Sequence, residues 1–370
     1  MAGPLHGIRI IELAGVGPGP FAAMMFADHG AQVVRIERAG RLRVPDDPIE
    51  RGRVDLDLDL REAAARDALL ALAKTADALI DPYRPGRIEA LGIGPAALHA
   101  ANPRLVIGRI TGYGQTGPMS QQAGHDINYL AFSGLLHGIG AANHRPVPPA
   151  NLLADYGGGA MMLCFGMLAA LLEVRGGAPT GRIVDAAMTE GTALLGTMLH
   201  GLAGAGLWKE GREANVLDGG NPFYRTYRCS DDQYLAVGAL EPAFRAQLLQ
   251  SIGLAGNPLF ENDDPALWDE QAEAIAEKFV AEPASAWLAT FEGKDACVAP
   301  VPPLLAAMRH PHHEARGSFA SLAGRRVPAP APRYGDAAEP LARAPRAFET
   351  ARVILLDAGL DEAQVDALLG

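Results

Sequence analysis

Hydrophobic and polar positions along the chain follow two rhythms. Residues 7–13, GIRIIEL, are a short, β-branched apolar run that reads as a buried strand. A turn rich in Gly and Pro follows at 14–20, and the next stretch, FAAMMFADHG, carries helical spacing and stops at Gly30. Residues 31–37, AQVVRIE, read as a second strand. Strand, helix and strand in this order predict a βαβ unit of a parallel sheet. The pattern recurs. Asp59 and Glu62 frame a capping box that opens a helix to about residue 76, and ALI at 78–80 and RLVIGRI at 104–110 read as further strands.

Near residue 155 the texture changes. Asp155, Tyr156 and three glycines precede a long apolar helix at about 158–174, and GRIVDAAM at 181–188 reads as another strand. From 222 onward, FYRTYRC, SDDQ and YLAVGAL predict a hairpin. Helices fill roughly 242–292, Pro is dense from 300 to 340, and 347–369 reads as an amphipathic helix pair. The fold class expected is α/β. The first part reads as a Rossmann-like domain, with a second domain at about 222–320. The Pro/Ala stretch at 328–333 has linker composition.

Composition narrows the function classes. The chain has 370 residues, 49% of them hydrophobic and 20% charged, which suits a globular protein with a large core. A net charge of −11 excludes the whole-protein basic field of a nucleic-acid binder, although a local Arg cluster still suits an anionic ligand. The three cysteines, Cys164, Cys229 and Cys297, form no CxxC pair, which argues against a disulfide framework or a zinc site. The N-terminal residues lack the charged start and apolar stretch of a signal peptide. The longest apolar run, Ala160 to Leu172, is shorter than the ~20 residues a membrane span needs. The expectation is a cytoplasmic protein with no membrane or nucleic-acid partner.

Several positions carry candidate chemistry. The turn GVGPGP offers Gly15 and Gly17 for the first two places of a dinucleotide fingerprint, but Pro20 stands where the third glycine belongs. A plain strand-to-helix turn and a close approach of some other ligand stay open. Arg38 and Arg84 each follow a strand, where open α/β sheets bind ligands, and the guanidinium fork suits phosphate. His125 and Asp126 sit between a glycine and an apolar stretch. Asp155 reads as a helix N-cap, a place that favours an ionised carboxylate and so a base or nucleophile. Glu241 ends a strand before Pro242. His310, His312 and His313 match no common zinc spacing, so no metal site is expected.

With these residues in view, the chain resembles the family III CoA-transferase superfamily and, within it, the α-methylacyl-CoA racemases. The resemblance runs through residues 7–38, 83–95 (YRPGRIEALGIGP), 109–118 (RITGYGQTGP), 121–130 (QQAGHDINYL), 148–159 (PPANLLADYGGG), 217–229, 234–242 and 295–301. GHDINY is its most specific piece, because transferase members usually lack that histidine. The resemblance implies a large Rossmann-like domain of residues 1–200 and 325–370 and a smaller α+β domain of 222–320, with linkers at 201–221 and 321–324. It implies an interlocked homodimer, each active site lying between the large domain of one protomer and the small domain of the other. It implies a CoA groove lined by Val16, Arg38, Leu58, Asp59, Leu60, Arg61, Tyr83, Arg84, Gly124, Asp126, Ile127, Asn128 and Tyr129. It makes His125 and Asp155 the catalytic pair, with Glu241 of the partner orienting His125. No cofactor is required beyond the CoA of an acyl-CoA substrate. The reaction implied is inversion at the carbon beside the thioester carbonyl, by one group removing a proton and the other returning one. The runner-up is CoA transfer with Asp155 as nucleophile. The amides at the start of the helix after Asp155 are the expected stabiliser of the enolate oxygen.

Overall fold

The structure is a computed structural model that describes residues 3–38, 40, 44, 46–335 and 350–369. The chain forms two compact units: residues 1–133, 149–196 and 311–370 make the first, and 134–148 with 197–310 the second.

The first unit is built on β1 (Arg9–Leu13), α1 (Pro18–Asp28), β2 (Gln32–Glu37), β3 (Arg53–Asp57), α2 (Ala63–Thr75), β4 (Ala78–Asp81), α3 (Arg87–Ala90), α4 (Pro95–Ala101) and β5 (Val106–Thr111). It continues through α5 (Asp126–Phe132), a π-helix (Leu152–Ala160), α6 (Met161–Arg175), β6 (Ile183–Ala187) and α7 (Met188–Leu195). The six strands are parallel in the order β3-β2-β1-β4-β5-β6. The strand order reverses between β1 and β4, and crevices at such reversals, outside the carboxyl ends of the strands, are where open α/β sheets take ligands. The strands are apolar because helices cover the sheet: Leu69 and Leu72 of α2 are fully buried in one core with Ile11, Val34, Leu79 and Ile107.

The second unit begins with α8 (Thr197–Gly204) and holds β7 (Tyr224–Arg228), β8 (Tyr234–Gly238), α9 (Pro242–Ser251), α10 (Trp268–Phe279), α11 (Ala284–Phe291), β9 (Val298–Pro300) and α12 (Leu304–Ala307). Strands β7, β8 and β9 form an antiparallel sheet over a core that includes Phe223, Tyr227, Leu235 and Phe279. The chain then returns to the first unit as α13 (Pro311–Arg316), the hairpin β10 (Phe319–Leu322) and β11 (Arg325–Pro328), and helices α14 (Ala351–Asp357) and α15 (Glu362–Leu369). Ile354, Leu355 and Val365 of the last two helices join the core of the parallel sheet.

Particular elements differ from the sequence expectation. Strand β3 was not anticipated, yet Val54, Leu56, Leu58 and Leu60 are all buried between the acidic positions 55, 57 and 59, a period-2 alternation. Asp59 does not close a capping box. Its Oδ1 accepts from the Arg61 N–H at 3.0 Å, and α2 starts at Ala63 with no side-chain cap. The apolar helix is longer than expected: Leu152–Arg175 is 24 residues of continuous helix, long and apolar enough by length and composition to cross a membrane. Half of its most apolar stretch is buried inside the protein, as in the core helix of a globular domain. Residues 134–148 and 201–221, read above as large domain and linker, pack with the second unit, and 311–324 pack with the first.

Candidate active site

The carboxyl ends of the parallel strands collect most of the expected site residues. Val16 follows β1 and is 81% exposed. Arg38 follows β2 and is exposed, close enough to Asp59 to favour its charged form. Leu58 and Leu60 follow β3 but turn their side chains into the core, which leaves Asp59 and Arg61 to face outward. Asp59 pairs with Arg61, and that bond holds its carboxyl down at about 2.

Past β4, the turn carrying Tyr83 and Arg84 is set by a buried carboxylate. Asp81 is fully buried; its Oδ1 accepts from the Tyr83 N–H at 2.9 Å and its Oδ2 from Arg109 Nε at 3.0 Å. Burial outweighs both partners and pushes the Asp81 carboxyl up to about 6. Arg109 also reaches Glu89 of α3 at 2.7 Å, so β4, β5 and α3 are tied below this turn. Arg84 is exposed and acts electrostatically on the Tyr129 phenol, which places the turn near α5.

Helix α5 presents the histidine. His125 is the residue before its first turn and is exposed, and its N–H is accepted by Asn128 Oδ1 at 3.1 Å. Tyr129 is buried and donates its hydroxyl to the Gly124 carbonyl at 2.5 Å, which fixes the approach to His125. Ile127 is 45% exposed beside it. Asp126, expected along the CoA groove, instead turns inward. It is 5% exposed, and its Oδ2 accepts from the N–H groups of both Ala154 and Asp155 at 2.8 Å.

Asp155 is not an N-cap. It is the fourth residue of the π-helix, which starts at Leu152, before it. The amides of Ala154 and Asp155 are already taken by Asp126, so the helix-terminal amides expected to meet an enolate oxygen are not free at these two positions. The glycines after Asp155 serve a close crossing. A Cβ on Gly191 of α7 would sit 1.8 Å from the Gly158 carbonyl oxygen, so only glycine allows α7 and the π-helix to pack so tightly. π-Helical turns of this kind concentrate at functional sites.

The Asp155 carboxylate is half-buried. Asn151 Nδ2 donates to its Oδ2 at 3.3 Å. The glycine turn after β1 closes over it: Gly17 has φ 73° and a Cβ there would lie 3.1 Å from Asp155 Oδ2. Phe21 of α1 stacks on Tyr156 with centroids 4.4 Å apart, holding the turn against the π-helix. Burial, with a smaller contribution from Asp126, raises the Asp155 carboxyl above the ordinary carboxylate range, against the opposing pull of Asn151 and His125. Asp126, directly after His125, bonds the Asp155 amide, and this link brings the His125 and Asp155 segments to one site. Gly17 was singled out only as part of a fingerprint-like turn, and Asn151 was missed; the i,i+4 spacing of Asn151 and Asp155 was the available signal.

Glu241 lies in the second unit, exposed, as the residue before α9, and its charge acts on the Cys297 thiol. Among the described residues no group of three or more His, Cys, Asp or Glu is arranged to hold a metal ion.

The sequence model of CoA-transferase family III matches residues 5–347. The chain is 43% identical over 328 residues to an alpha-methylacyl-CoA racemase of Mus musculus, covering 89% of this chain and 85% of that one. It is 42% identical over 329 residues to the alpha-methylacyl-CoA racemase of Homo sapiens, covering 89% and 86%. Its fold matches the crystal structure of a CAIB/BAIF family protein from Brucella suis with a TM-score of 0.80 at 22% identity, over 98% of this chain and all of that one.

Proposed function

Because the chain belongs to CoA-transferase family III, we propose that it is an acyl-CoA racemase that inverts the α-carbon of 2-methylacyl-CoA thioesters. The observation that carries this reading is the bond from the Asp155 N–H to Asp126, the residue after His125, which gathers the imidazole-bearing and carboxyl-bearing elements at the carboxyl edge of the parallel sheet. A thioester acidifies its α-hydrogen because the resulting enolate places charge on oxygen, but the proton still needs a positioned base. His125 removes it from one epimer while protonated Asp155 returns one to the other face; for the opposite epimer the roles exchange. A carboxyl raised toward working pH suits that double duty, and positioned proton transfer typically contributes ~10²–10⁴-fold. Proton removal and return leave the substrate neither oxidised nor reduced, so the reaction asks for no redox cofactor.

The phosphates and adenine of CoA lie along the strand ends, with Val16, Arg38, Asp59, Arg61, Tyr83, Arg84, Gly124, Ile127, Asn128 and Tyr129 as the groove. Glu241 of a partner protomer orients His125, in a homodimer that works in the cytoplasm. Support for the homodimer comes from α6, whose Met161, Phe165, Leu168 and Leu172 form an exposed apolar stripe.

Incubating a 2-methylacyl-CoA with the enzyme in heavy water, without an acyl acceptor, is expected to place deuterium at the α-carbon. No exchange over a panel of chain lengths rules the reading out. The second reading is CoA transfer, in which Asp155 attacks the thioester; the family name favours it and the histidine beside Asp155 disfavours it. Trapping of an Asp155 adduct by hydroxylamine in the presence of acyl-CoA reverses the order of the two.

A further inference from the structure

We propose that Asp126 is the positioning residue for Asp155: its carboxylate anchors the backbone that carries Asp155 and supplies the fixed negative charge beside it. This rests on the racemase reading for its consequence in catalysis, but the anchoring itself is a matter of geometry.

One oxygen of Asp126 accepts two consecutive backbone N–H groups, Ala154 and Asp155, both at 2.8 Å. Two bonds from a buried carboxylate fix the start of the π-helix more tightly than a neutral acceptor would, since bonds to an ionised acceptor are about twice as strong. Asp126 is also the first residue of α5, directly after His125. One side chain therefore ties the element that bears the histidine to the element that bears the carboxylate. The other oxygen, Oδ1, is buried and has no hydrogen-bond partner among the described residues. Among the described residues Asp126 makes no ion pair, and its charge bears on Asp155.

The groups that face Asp155 come from a short set of elements. Asn151, on its own helix, donates to it, and His125 and Asp126 act on it from α5. Tyr129 of α5 feels the Asp155 charge in turn. Of the other elements packed on the π-helix, α1 carries only Asp28 at its far end, and α7 carries Glu190 at an exposed position. Arg109 of β5 is engaged by Asp81 and Glu89, and Asp185 of β6 accepts from the Gln115 N–H at 3.0 Å. The charged ends of α6, Glu173 and Arg175, lie in its last turn. Asp126 is thus the anionic group that acts on Asp155.

The test uses the full-length protein labelled at the aspartate carboxyl carbons. The Asp155 resonance is identified by its loss in Asp155→Asn, and its titration is followed by carbon NMR. Asp126→Asn keeps an oxygen that accepts both amides and removes the charge. The expected result is a fall in the proton affinity of Asp155 by about threefold or more, toward the ordinary carboxylate value. The acidic limb of the kcat/KM profile for deuterium exchange moves to lower pH with it. Asp126→Ala removes the two acceptor bonds as well; kcat falls about tenfold or more below that of the Asn variant, with KM little changed. An Asp155 midpoint unchanged in Asp126→Asn overturns the electrostatic role. Equal kcat in the Asn and Ala variants overturns the anchoring. The midpoints are read without turnover, so wild-type enzyme that fails to exchange deuterium refutes the racemase reading and leaves this one to be judged on the titration.

Discussion

The backbone of Gly17 lies directly against the carboxylate of Asp155: a methyl group on Gly17 would sit 3.1 Å from Oδ2. The glycine turn after the first strand, which in a dinucleotide enzyme would cradle a pyrophosphate, here has Asp155 at its second glycine. Gly17 also adopts φ 73° with ψ −112°, outside the left-handed helical region, which costs a residue with a Cβ about 1–3 kcal/mol. Gly17→Ala is therefore expected to lose about 1–3 kcal/mol of stability in urea titration. The same variant displaces Asp155, and its deuterium-exchange rate is expected to fall by about tenfold or more, because misplacing a reacting group by a fraction of an ångström is costly. Wild-type exchange in Gly17→Ala counts against Asp155 as a reacting group.

His125→Gln and Asp155→Asn each remove one partner of the proton pair. Each is expected to reduce exchange by about 10²–10⁴-fold. Neither side chain is needed to hold the CoA moiety, so the Kd for CoA measured by calorimetry stays within about threefold of wild type. If only Asp155→Asn were inactive, and His125→Gln retained full acyl-CoA turnover, the nucleophile reading of Asp155 would take over.

The parallel sheet was legible because its strands are covered on both faces and so read as continuous apolar runs, as in GIRIIEL and RLVIGRI. Strand β3 escaped because its alternating aspartates carry little strand propensity of their own. At the site, the family resemblance pointed to His125 and Asp155, but the local roles did not follow. Asp155 reads as an N-cap from its neighbours, whereas the residue that binds the π-helix amides is Asp126, 29 positions earlier. Contacts of that sequence separation leave no periodic trace. The same holds for Gly17, whose partner is set by the crossing of the β1 turn and the π-helix.

Asp81 gives the first unit a pH signature. Burial raises its carboxyl to about 6, above the ~4 of an unfolded chain. Between these values the folded protein binds the proton and the unfolded chain does not. The contribution of Asp81 to stability therefore rises as pH falls from about 6 to about 4 and is flat above that window. Asp81→Asn cannot titrate. The stability difference between wild type and Asp81→Asn, read from urea midpoints across this range, is expected to shift in favour of wild type by about 1–3 kcal/mol on acidification. A difference independent of pH would show that the Arg109 pairing holds Asp81 ionised throughout.

The exposed stripe on α6 bears on assembly. One face of the helix, including Leu163, Met167 and Leu171, is buried within the protein. The opposite positions, Met161, Phe165, Leu168 and Leu172, follow at steps of four, three and four, and Phe165 and Leu172 are each 73% exposed. A helix apolar on both sides is covered on both sides, and burying one Phe or Leu is worth about 1.5–3 kcal/mol. A second copy of the chain supplies that cover in the homodimer proposed above. Phe165→Glu, and more so Phe165→Glu with Leu172→Glu, is expected to weaken self-association by about 100-fold or more in sedimentation equilibrium, since each buried apolar group is replaced by a charge that needs water. Both side chains point away from the core, so circular dichroism and the urea midpoint are expected to stay close to wild type. Exchange activity should fall in step with the dimer fraction and recover at high protein concentration if, as proposed above, Glu241 of a partner orients His125. Full activity in a monomeric variant would remove Glu241 of the partner from the mechanism. Unchanged association together with loss of binding to phospholipid vesicles would instead mark the stripe as a membrane-facing surface.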